Sequence, residues 1–102
     1  AAAALASYGE ALEADPSNVR AAAQGAKVAA QLGNVARARS LADAALKASP
    51  RSGAAHEALG VVLELEDSKK DARKAYERAL ELDPKLDVAK ERLKRLRWGF
   101  LG

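Results

Sequence analysis

Residues 53–86, GAAHEALGVVLELEDSKKDARKAYERALELDPKL, hold two helix-length segments that meet at Asp67-Ser68 and close on a proline. The closing hexapeptide, ALELDP at 79–84, has counterparts 34 residues apart in ALKASP at 45–50 and ALEADP at 11–16, and the three contain every proline of the chain. Proline cannot continue a helix and disfavours the α conformation in the residue before it, so each hexapeptide ends a helix and resets the chain. Ala4, Ala11, Leu12 and Pro16 recur as Ala38, Ala45, Leu46 and Pro50 and again as Ala72, Ala79, Leu80 and Pro84, with Tyr8, Ala42 and Tyr76 at one equivalent place. A fixed period of this length decides the architecture, because each unit needs its neighbours to cover its apolar face.

Composition agrees with a helical reading. The 102 residues make one domain, able to bury about 60–65% of its unfolded surface. Alanine supplies 26 residues and leucine 14, the aromatics are only Tyr8, Tyr76, Trp98 and Phe100, and alanine and leucine are strong helix formers. With no cysteine there is no disulfide framework, thiolate chemistry or Cys-based zinc site. No apolar run approaches the roughly 18–20 residues that span a bilayer, and the opening AAAALA lacks a basic flank. A soluble, cytoplasmic protein is the expectation, and the alanine and arginine usage suggests a bacterium with a GC-rich genome. The missing methionine and the start in mid-unit suggest a fragment of a longer protein.

Local signals place the helices. Val19–Leu32 runs without a breaker except Gly25, Gly33-Asn34 supplies a left-handed stop and then an N-cap, and Val35–Ala48 follows. In the next unit the spacing predicts a helix over Ala54–Glu66 and a second one capped by Ser68, with Asp71 as its capping-box partner. The last segment, Lys85–Arg97, puts Leu86, Ala89, Leu93 and Leu96 on one stripe suited to covering the final unit. Ala38, Ala45, Ala72 and Ala79 would sit at the helix crossings, with Leu41, Leu46, Leu59, Leu63 and Leu80 filling the space between.

These residues carry a family resemblance. Leu59-Gly60 and Leu63, then Ala72, Tyr76, Ala79 and Pro84, resemble the tetratricopeptide repeat, whose 34-residue unit reads W-x2-L-G-x2-Y, A-x3-F, P, with His56 at the leading Trp place. Residues 19–52 resemble it with smaller side chains at Ala22, Gly25-Ala26 and Ala29, while Gly33, Ala38, Ala45 and Pro50 fit. The resemblance implies an all-α, right-handed α-α superhelix of antiparallel helix pairs with a C-terminal capping helix. Its divisions would be the second half of a truncated repeat at 1–18, repeats at 19–52 and 53–86, the capping helix at 87–97 and a tail at 98–102.

No catalytic constellation is visible. One histidine, no cysteine, no glycine-rich phosphate loop and no close His–carboxylate set leave no basis for an enzyme, a metal or a cofactor, and His56 reads as packing within its repeat. What the resemblance implies instead is a concave face, lined by the first helix of each unit, that binds a peptide or partner protein. Its inward positions would be Arg20, Ala23, Gln24, Lys27, Ala30 and Gln31, then Ala54, Glu57, Ala58, Val61 and Glu64, then Val88, Glu91, Arg92 and Arg95. The family's clamp for chaperone C-terminal carboxylates would fall at Ala23, Lys27, Ala58, Val88 and Arg92. Only Arg92 keeps the required residue, and a carboxylate needs several convergent donors, so such a clamp is rejected.

Charge leaves two other readings open. Residues 85–102 carry six basic against two acidic residues, a net +4, whereas the chain as a whole is +3. Lys90, Lys94, Arg95 and Arg97 lead into Trp98 and Phe100, a composition compatible with an anionic surface, although a basic last turn also suits the helix dipole and a solvating cap. Nucleic acid and membrane are therefore the lesser expectations. A homo-oligomer through the solenoid ends is the third reading, because Leu5, Tyr8 and Leu12 lack a covering helix and the two C-terminal rings could dock on a second copy.

Overall fold

A computed structural model of the chain describes residues 14, 15 and 18–98. Five helices are defined within them: α1 (Val19–Gln31), α2 (Val35–Ala48), α3 (Gly53–Leu65), α4 (Lys69–Leu82) and α5 (Asp87–Trp98). No strand occurs among the described residues. The helices pair as α1 with α2 and α3 with α4; α3 also packs on α1 and α2, and α5 lies against α4.

The ends of the helices repeat as closely as the letters do. After α1, Gly33 adopts φ +76° and the N–H groups of Gly33 and Asn34 return to the carbonyls of Ala30 and Ala29. After α3, Asp67 adopts φ +61° and the N–H groups of Asp67 and Ser68 return to Glu64 and Leu63. Both are Schellman turns, which satisfy carbonyls left over at a helix end. The side chain of Asn34 then accepts the N–H of Arg37 and so caps α2. At the other terminus of the pairs, Ser49 and Asp83 are both extended, as the residue before proline must be, and each donates its N–H back to an alanine, Ala45 and Ala79.

One local expectation is corrected. The capping box of Ser68 and Asp71 does not form: Ser68 stands at the N-cap, but its side chain makes no capping bond. Its own N–H, which Asp71 would have to accept, is already bonded to Leu63 at 2.8 Å. The last helix begins at Asp87, the start expected of the capping helix, because the Asp83 carboxylate accepts the Lys85 N–H at 3.1 Å and holds residues 83–86 in a turn.

The core is mostly alanine. Ala38, Ala42, Ala45, Ala72 and Ala79 are fully buried together with Ala26, Ala29, Ala55 and Ala58, and Leu41, Val62, Tyr76 and Leu93 are the main large side chains among them. A buried methyl contributes only about 0.8 kcal/mol, so the stack depends on close helix approach and on its few large residues. Leu46, Leu63, Leu80, Leu86 and Leu96 pack at the margin of this core. The truncated unit at 1–18, apart from residues 14, 15 and 18, and the tail beyond Trp98 lie outside the described residues, as do Leu5, Tyr8, Leu12, Phe100 and the side chain of Trp98.

Candidate functional site

The first helix of each pair and the capping helix line one concavity. Gln24, Lys27, Val28, Ala30 and Gln31 come from α1, Val61, Glu64 and Leu65 from α3, and Val88 and Arg92 from α5, around a groove of about 560 Å³. Spacing explains the register, since 24, 27, 28 and 31 fall on one side of α1 and 61, 64 and 65 on one side of α3.

Two ion pairs organise the walls. Lys27 Nζ lies 2.6 Å from Glu57 Oε1, joining α1 to α3. Glu57 is 2% exposed, so without this partner it would be an uncompensated carboxylate in the core. At the next junction Glu64 Oε1 accepts both the Tyr76 hydroxyl at 2.5 Å and an Arg92 N–H at 3.2 Å, linking α3, α4 and α5. Burial, reinforced by the neighbouring Glu64 carboxylate, pushes the Tyr76 hydroxyl well above its ordinary value near 10, so it remains a donor. For Arg92, burial alone would favour the neutral form, but Tyr76 and Glu64 outweigh it and hold the guanidinium charged. Neither cation of the groove is thus without a carboxylate.

The sequence-derived positions divide into three groups. Gln24, Lys27, Gln31, Val61, Glu64 and Arg92 come together as expected, with Ala30 and Val88. Ala23 and Glu57 do not line the groove, a correction: they are 1% and 2% exposed because their side of α1 and α3 faces the next helix, and Glu57 acts from behind by holding Lys27. Arg20, exposed one turn before the lining of α1, is also outside it, as are Ala54, the fully buried Ala58, Glu91 and Arg95. Val28 and Leu65 were not among the sequence-derived positions, yet each lies four residues after one, Gln24 and Val61, and helical spacing alone could have found them.

The basic positions lie elsewhere on the surface. Lys90 is 3.9 Å from Asp87, Arg97 is 3.4 Å from Glu77, and Lys94 and Arg95 are exposed. His56 Nε2 donates to the Pro50 carbonyl at 2.9 Å, tying α3 to the turn before it. Among the described residues no cluster of three or more His, Cys, Asp or Glu is suited to a metal, and no helix is long and apolar enough to cross a membrane.

Comparisons with known proteins bear on this geometry. The tetratricopeptide repeat, as a family, matches residues 23–87. No curated protein matches the chain. The NMR structure of the first TPR domain of the human RPAP3 protein is similar at a TM-score of 0.83 and 25% identity, covering 95% of this chain and 76% of that one. The first TPR of Spaghetti (RPAP3), bound to the HSP90 peptide SRMEEVD, is similar at a TM-score of 0.80 and 24% identity, over 96% and 78% of the two chains.

Proposed function

Because the chain belongs to the tetratricopeptide-repeat family, we propose that it is a protein-interaction scaffold whose concave groove holds a peptide segment of a partner protein. The observation that carries this reading is the groove itself, a recess of about 560 Å³ built from three helices, with apolar Val28, Val61, Leu65 and Val88 interleaved with the amides of Gln24 and Gln31. Concave sites that combine apolar area with a few polar groups are where ligands gain both burial and orientation. The same fold in Spaghetti holds the acidic peptide SRMEEVD, which supports a peptide as the class of occupant.

The chemistry of that occupant differs. Lys27 and Arg92, the cations of the groove, already face Glu57 and Glu64. An incoming carboxylate would have to displace a carboxylate of the protein, so the preferred segment is uncharged where it meets these residues. It places an apolar side chain against Leu65 and Val88 and hydrogen-bonds Gln24 and Gln31.

The test uses peptides selected from a random displayed library on the 102-residue chain, with affinity read by fluorescence anisotropy. Leu65 and Val88 are 45% and 47% exposed, so Leu65→Glu and Val88→Glu leave the melting temperature unchanged while weakening the peptides about tenfold, or 1.4 kcal/mol. Arg78→Ala, at an exposed position of α4, has no effect. Undiminished affinity in both groove variants would remove the proposal.

A further inference from the structure

The Glu77 carboxylate in α4 is shared by two arginines: Arg73 Nε lies 3.7 Å from one oxygen and Arg97 Nη2, from α5, lies 3.4 Å from the other. Lys70 and Lys74 each precede one of this α4 pair by three residues, and on α5 Lys90 and Lys94 stand seven and three residues before Arg97. Helical spacing therefore puts a stripe from each helix on the same side of the molecule, joined at Glu77. Six cations (Lys70, Arg73, Lys74, Lys90, Lys94 and Arg97) against three carboxylates (Glu77, Glu81 one turn after it, and Asp87) leave this face at +3, equal to the net charge of the whole chain. The charge of the protein is concentrated here. Among the described residues no carboxylate pairs with Lys70, Lys74 or Lys94, and Arg73, Arg97 and Lys90 keep 46%, 51% and 55% of their side chains exposed.

We propose that this α4–α5 face is a second docking surface, distinct from the groove, for an acidic segment of a partner protein. Glu77 holds two guanidiniums in place, and each of them retains N–H donors for the bidentate contact that a carboxylate offers. The stripe on α5 from Lys90 to Arg97 is about 10 Å long, the scale of a short run of Asp and Glu rather than of a nucleic-acid track. Glu77, Glu81 and Asp87 stand inside this face, where a continuous phosphate backbone would meet them. A membrane surface would call for an exposed apolar anchor; among the described residues the exposed large apolar side chains are Leu32, Leu65 and Val88, and Val88 faces away from Arg97 on α5.

The probe is a fluorescein-labelled decapeptide of alternating Asp and Glu, titrated with the full chain and followed by anisotropy. Binding is expected to weaken steeply as salt is raised from about 50 to 200 mM, as screening requires. Lys94→Glu with Arg97→Glu, and separately Lys70→Glu with Lys74→Glu, should each weaken it about tenfold, whereas Arg37→Glu with Lys47→Glu, an equal charge change on α2, and Val88→Glu in the groove should leave it within about twofold. Circular dichroism identifies any variant that fails to fold, and the second pair then decides. An equal loss in the α2 control, or undiminished binding by folded variants of both pairs, would overturn the proposal. So would tighter binding of a single-stranded DNA 20-mer or of phosphatidylserine vesicles than of the decapeptide at the same salt.

Discussion

At the scale of single residues, Gly60 and Tyr76 show how one repeat differs from the next. A Cβ added at Gly60 would lie 2.6 Å from Cε1 of Tyr76, whose side chain is fully buried. At the equivalent places, 34 residues earlier, stand Ala26 and Ala42, both fully buried. Where the second helix carries a ring the first carries no side chain, and where the second carries a methyl the first can carry one too. Gly60→Ala should therefore cost about 1–3 kcal/mol by overpacking, and much less in a Tyr76→Ala background, where the ring is gone. Urea denaturation of the four proteins measures the coupling; strictly additive losses would contradict this account. Gly60 and Tyr76 could both be named from the motif, but their mutual dependence required the distance between them, because nothing in the letters states which side of a helix another helix approaches.

At the scale of elements, the turns between paired helices use one geometry with two residues. Gly33 meets its positive φ with nothing within 4 Å of a would-be Cβ, while Asp67 holds a positive φ with a side chain. Left-handed backbone costs an L-residue more than glycine, so Asp67→Gly should stabilise the protein by about 0.5–1 kcal/mol, read from thermal or urea unfolding. An unchanged or lowered stability would mean that the carboxylate does work in this turn that its geometry does not reveal. The helices themselves were legible: α2 falls on the span read from the sequence, α1 ends one residue earlier, and α3 is displaced by one. Ser68 was legible as an N-cap position but not as the residue whose N–H the preceding helix consumes, since a hydrogen bond to Leu63 is a property of the folded turn.

At the scale of the molecule, packed junctions carry the charge balance. Lys27–Glu57 spans α1 and α3, Glu64–Arg92 spans α3 and α5, and Arg39–Glu66 at 3.1 Å ties α2 to the end of α3. Only the first has a partner almost fully removed from water, with the Glu57 side chain 3% exposed against 25% for Lys27. Lys27→Ala should consequently destabilise by about 3 kcal/mol, because it leaves the carboxylate buried and unpaired, whereas Lys27→Met with Glu57→Leu should stay within about 1 kcal/mol of the original protein. If calorimetry found the single substitution as mild as the double one, Glu57 would have to be reaching solvent or another donor. The groove is close to neutral by this internal pairing, and the net positive charge gathers on the α4–α5 face instead.

What the sequence determined by itself is the period, the helix boundaries and the side of each helix that turns inward. Those properties are local: proline and glycine act on their own backbone, and a helix face follows from spacing along one chain. What only the tertiary structure decided is which inward residues remain accessible. Spacing puts Ala23 and Glu57 beside Lys27 on the inner side, yet both are buried against the next helix and Lys27 is spent on Glu57, because accessibility and charge compensation depend on what the adjoining helix brings within 3 Å. The sharing of Glu77 between Arg73 and Arg97 arises in the same way, from two helices 20 residues apart in sequence and 3.4 Å apart at their side chains.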